Sequence, residues 1–104
     1  MRLTNKDVQR AYRRFNKVYF DNKLPKDILV KFDTEEELDD AYGEYLEADH
    51  EILLSEELKT IPDFAYIVLL HEMAHVQVPD NNHGFQFAAV INKLYQQGAY
   101  DAYL

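Results

Sequence analysis

A small single-domain α+β fold is what this sequence predicts, and three patterns predict it. Apolar residues recur at helical spacing near both ends of the chain. Short runs with strand-like alternation, separated by turn signals, lie between residues 27 and 55. The whole chain is 104 residues, a length suited to one core, so 1–104 reads as one domain. The expected order is an N-terminal helix, a three-stranded mixed or antiparallel sheet, a central helix and a C-terminal helix.

The first helix is expected over Thr4 to Phe20. Thr4 and Asp7 have the spacing of a capping box, with Asp in place of Glu. Val8, Ala11, Tyr12, Phe15, Val18 and Tyr19 form its apolar stripe, and Asp21-Asn22-Lys23-Leu24-Pro25 ends it. A strand follows over Asp27 to Asp33, with Ile28, Leu29, Val30 and Phe32 apolar. Thr34 to Asp40 reads as an acidic solvated loop. Ala41 to Glu47 is a second strand, and Gly43 within it signals a bulge or a close backbone approach. Glu51 to Ser55 is a third, joined to the second as a hairpin through the link at Asp49. His50 in that link reads as an exposed turn residue without a role. Ser55 to Leu58 begins a short helical turn. Pro62 opens the central helix, which runs through His75. The final helix spans about Gly84 to Gln97, with Phe87, Ala88, Val90, Ile91, Leu94 and Tyr95 as its packing face. Gly98 stops it, and Ala99 to Leu104 reads as a tail.

Composition removes several classes of function. Without cysteine there are no disulfides, cysteine zinc ribbons or thiol nucleophiles. No apolar run has the length of a membrane span, and Met1 to Lys6 lacks the apolar core of a signal peptide, so the expectation is a soluble cytoplasmic protein. The net charge of −8 is uneven. Residues 1–31 hold nine Lys/Arg against three Asp/Glu, a net of +6, and residues 32–104 hold two against sixteen, a net of −14. The acidic majority disfavours general nucleic-acid binding, which depends on neutralising phosphates. Lys6, Arg10, Arg13, Arg14 and Lys17 nevertheless share one side of the first helix. They read as a solvated face or as a docking surface for nucleic acid or an acidic partner.

His71-Glu72-Met73-Ala74-His75 carries the chemistry. Helical residues four apart lie about 40° apart around the axis, so both imidazoles face one point where a metal ion can take both. Glu72 lies to the side, placed to touch a water more than to be a ligand. Two neutral nitrogen ligands, an open position and a base are the parts of a zinc hydrolase. The flanking Ile67, Val68, Leu69, Leu70, Met73 and Ala74 bury the motif, where unpartnered polar groups are costly and a cation removes the cost.

A catalytic zinc site takes three protein ligands. A downstream glutamate is excluded, because none follows Glu72, and a metzincin pattern fails at Val78 and Asn81. His83, Asp80 and Asp101 remain. His83 is favoured, because it follows the turn-rich Pro79-Asp80-Asn81-Asn82 and opens the last helix.

These segments resemble the SprT-like metallopeptidase domains of SprT and Spartan proteins over about residues 11–98. The match runs through Phe15 to Pro25, Ala41-Tyr42-Gly43, Ile52 to Leu58, His71 to His75, His83-Gly84-Phe85-Gln86-Phe87 and Ile91-Asn92. The resemblance implies a gluzincin-like core in which His71, His75 and His83 bind Zn2+ and Glu72 is the catalytic base. It implies an endopeptidase whose partner is a protein or peptide substrate. An extended substrate is expected to pair near Tyr42-Gly43-Glu44. The alternatives are a non-catalytic zinc-binding interaction domain and a DNA-directed protease using the basic helix.

Overall fold

The computed structural model describes residues 2–33, 42–80 and 83–104. The acidic loop expected over Thr34 to Asp40 therefore lies outside the described residues. The elements run α1 (Asn5–Tyr19), β1 (Leu29–Asp33), β2 (Gly43–Leu46), β3 (Glu51–Ser55), a 3-10 helix (Glu56–Thr60), α2 (Pro62–Gln77) and α3 (Phe85–Gln96). This is the expected α+β order, with strands β1 and β2 shorter than the sequence suggests.

α1 forms for the reasons its sequence offers. Thr4 is the N-cap, and both arms of the capping box with Asp7 are made. Those hydrogen bonds hold the Asp7 carboxyl below its ordinary pKa. Val8, Ala11, Tyr12 and Phe15 are buried, whereas Val18, expected on the same stripe, is 54% exposed. The turn after α1 is held by a buried amide: Asn16 Nδ2 donates to the Leu24 carbonyl at 3.0 Å and Oδ1 accepts from Leu24 N–H at 3.1 Å.

The sheet order is β1-β3-β2. β3 pairs parallel with β1 (Val30 opposite Ile52) and antiparallel with β2 (Gly43 opposite Leu54), so the sheet is mixed. Period-two alternation turns Ile28, Val30 and Phe32 inward and leaves Leu29 exposed. The outer edge of β1 is occupied by α1. Val30 N–H donates to Gln9 Oε1 at 2.8 Å, Gln9 Nε2 donates to the Ile28 carbonyl at 3.0 Å, and Phe32 N–H donates to Asn5 Oδ1 at 2.9 Å. Side chains of a helix thus cover an edge that would otherwise invite pairing.

α2 is the central helix, touching β2, β3, α1, α3 and the 3-10 helix. It begins with Pro62 and has no side-chain cap. Eight of its residues are buried, so packing rather than capping holds it. α3 is narrower in its packing than its sequence suggests. Phe87 and Leu94 are buried and Val90 and Ile91 partly so, but Ala88 and Tyr95 face solvent, because α2 is its main neighbour.

Two further expectations are corrected. Ala99 to Leu104 is not a loose tail: Ala99 and Tyr100 are buried, and the Tyr103 ring lies 5.3 Å from Tyr66 and 6.3 Å from Phe15. The apolar face left by α1 and α2 needs these rings to complete the core. His50 lies in the turn as expected, with its side chain 41% exposed, but it is not without a role: its Nε2 lies 2.7 Å from Asp27 Oδ1. Its carbonyl also accepts from Leu29 N–H, so it ties the hairpin turn to the start of β1.

Candidate metal centre

The site is built on α2 and completed at the entrance to α3. Leu69, Leu70, Met73 and Ala74 are buried and fix the rotation of α2 about its axis. That rotation leaves His71 and His75 half-buried on one face and Glu72 3% exposed beside them in sequence. The i, i+4 spacing does what it promises: the two rings lie 5.0 Å apart, centroid to centroid.

His83 arrives from outside this helix. Its backbone is left-handed, with φ 60°, a conformation uncommon for a side chain with a Cβ but more often taken by His, Asn and Asp. Gly84 then caps α3 in extended conformation. The sharp reversal brings the exposed His83 ring back onto α2. Its Nε2 lies 3.1 Å from His71 Nε2 and 3.0 Å from His75 Nε2. Asp80 is exposed, and Asp101 lies by Gly98 at the far end of α3. Among the described residues, the group able to hold a metal ion is His71, His75 and His83, with ligand atoms within 4.8 Å of one another.

The donor chemistry fits a cation. A neutral imidazole nitrogen carries either one proton or one lone pair. His83 Nε2 therefore cannot make complementary hydrogen bonds to both neighbours with a single proton. A positive ion accepts all three lone pairs at once. Zinc bonded to nitrogens at about 2.0–2.1 Å in a tetrahedron sets them about 3.3 Å apart. The observed 3.0 and 3.1 Å are close to that edge.

Phe87 was expected only as a packing residue of α3, and the structure gives it more. Its ring lies 4.4 Å from His75, nearly parallel at 28°, and 5.0 and 4.9 Å from His71 and His83. It is 6% exposed and walls the three imidazoles on one side. Helical spacing alone does not reveal this role, because His83 lies outside α3 in a left-handed conformation. Beside His83 the surface opens into a shallow groove of about 490 Å³, lined also by Phe87, Ala88, Ile91, Asn92 and Tyr95.

A family model, that of the SprT-like family, matches residues 8–102, nearly the whole chain. No curated protein and no solved structure matches this chain.

Proposed function

The chain belongs to the SprT-like family, and from that premise we propose that it is a zinc-dependent endopeptidase acting on proteins or peptides in the cytoplasm. The observation that carries this reading is the convergence of three imidazole nitrogens, two from α2 and one from the turn before α3, with a buried carboxylate next to one of them in sequence. His71, His75 and His83 would hold Zn2+. Bound there, the ion supplies Lewis acidity, which makes water more acidic and a carbonyl more electrophilic.

The rest falls to the protein. Glu72 accepts a proton as water adds to the scissile carbonyl carbon, and returns it to the nitrogen as the C–N bond breaks. Burial keeps its carboxylate away from bulk solvent, where competing hydrogen bonds would weaken that transfer. A substrate strand adds to the sheet at β2, since the other edge, β1, is taken by Gln9 and Asn5. β2 begins at Gly43, against α2, so a strand paired there is led toward Glu72. The groove beside His83 offers apolar surface to a substrate side chain.

Glu72→Gln tests the assignment. It should retain wild-type zinc content and lose about 10²- to 10⁴-fold in the rate of casein cleavage. Full activity in that variant would remove Glu72 from the mechanism. A non-catalytic zinc-binding domain is disfavoured by the buried Glu72, which a purely structural site does not need.

Direction to DNA is a second reading, favoured by the exposed row Lys6, Arg10, Arg13, Arg14 and Lys17 on α1. It requires salt-sensitive DNA binding, weakened by charge reversal at Arg13 and Arg14. No binding at low salt would end it.

A further inference from the structure

Gly43 is the point at which the sheet meets the helix that carries the motif. A methyl group built on its Cα would lie 2.8 Å from Val68 Cγ1, 3.3 Å from Glu72 Oε2 and 3.3 Å from the Leu53 carbonyl oxygen. The first distance is shorter than real carbon contacts allow, and the other two are tight. Backbone conformation does not explain the glycine, because its φ is not in the left-handed region. What does is the closeness of β2 to α2, which only a residue without a side chain permits.

The three walls of this space differ in how they can yield. The Leu53 carbonyl belongs to β3, the central strand, paired on both sides. Val68 is buried in α2, and a β-branched side chain on a helix has essentially one χ1 rotamer. The Glu72 side chain, with three rotatable bonds, is the wall that gives. Of the three contacts a side chain at position 43 would make, the one with Glu72 is therefore eased by displacing its carboxylate, whereas the one with Val68 stays as a packing clash.

We propose that Gly43 is a positioning residue for Glu72: its bare Cα, wedged between β3 and Val68, sets where the Glu72 carboxylate rests. This deepens the endopeptidase reading and rests on it for its catalytic consequence. Geometry at a reacting group is sensitive, with a misplacement of about 1 Å costing about 100-fold. A shift of a few tenths of an ångström is therefore expected to cost about tenfold.

The experiment separates positioning from packing by removing the packing clash. Gly43→Ala, Val68→Ala and the double variant are compared with the wild-type protein, each loaded with zinc, for melting temperature, zinc content and cleavage of fluorescein-labelled casein. The same proteins without metal are compared by the ¹³C carboxyl signal of Glu72 at one fixed pH. Gly43→Ala is expected to lower the melting temperature and kcat. In the double variant the 2.8 Å contact is gone, so the melting temperature returns to that of Val68→Ala. The 3.3 Å contact with Glu72 remains, so kcat stays about tenfold down with KM and zinc content unchanged, and the carboxyl signal stays displaced.

Recovery of kcat and of the carboxyl signal together with stability would overturn the proposal, since Gly43 would then serve packing alone. A double variant that fails to fold would overturn it too, because the controlling contact would then be the one with the Leu53 backbone. If the wild-type protein cleaves no casein, the endopeptidase reading fails while the carboxyl signal still decides the position of Glu72.

Discussion

The two helices that supply the site's histidines differ in nearly every physical respect. α2 is buried along most of its length, touches every layer of the fold and places His71 and His75 through regular helical geometry. α3 is half solvated, packs chiefly on α2 and contributes His83 from just outside its first turn, in a left-handed conformation. The contrast teaches that the site has one rigid half and one half brought to it. The first is set by the core, and the second by a chain reversal and by the ring of Phe87.

That difference should appear most strongly in metal binding and stability measured together. His75→Ala and His83→Asn are both expected to abolish stoichiometric zinc, read by metal analysis after dialysis. Asparagine is the better replacement at 83 because it tolerates left-handed φ, so the loss of the ring is not confused with backbone strain. The metal-free melting temperature of His83→Asn should match the wild type, since His83 is exposed and surface changes shift stability by no more than about 0.5 kcal/mol. A large loss of metal-free stability would show that the reversal at His83 is part of the core, not an addition to it.

The next effect in size concerns what joins the halves. Phe87→Ala removes a buried ring packed on all three imidazoles and should cost about 3–5 kcal/mol by urea unfolding. Phe85, two residues earlier on the same helix, is 88% exposed. Phe85→Ala should stay within about 0.5 kcal/mol of the wild type. Similar losses in the two variants would mean that α3 is held by its N-terminal turn as a whole and not by the ring beneath the histidines.

The same division governs what could be read from the residues alone. The histidine pair of α2 was legible because helical spacing is local, and the apolar neighbours that bury it lie within the same few residues. His83 was reached by eliminating the other ligand patterns, since no local rule says which way a turn of Pro79 to Asn82 sends the chain. The parallel pairing of β1 with β3 and the covering of β1 by Gln9 and Asn5 were not legible, being contacts between segments about twenty residues apart or more. Tyr100 and Tyr103 looked like a tail for the same reason: the face they fill belongs to α1 and α2.

The smallest effect lies where the two helices end. α2 closes at Val78, with a backbone amide bonded to Ala74 and no glycine. α3 closes with Gly98 at φ 79°, its N–H donating to Tyr95 and that of Ala99 to Leu94, which is the Schellman pattern. That turn swings Ala99 and Tyr100 into the core. A methyl at 98 would meet left-handed backbone strain and lie 3.0 Å from Asp101 Oδ2, the end of an exposed side chain that can move aside. Gly98→Ala should therefore cost only the conformational penalty, about 1–2 kcal/mol, with zinc affinity unchanged because the site sits at the opposite end of α3. Should zinc binding weaken in step with stability, the two ends of α3 are coupled, and the half brought to the site is held from its C-terminus as much as from Phe87.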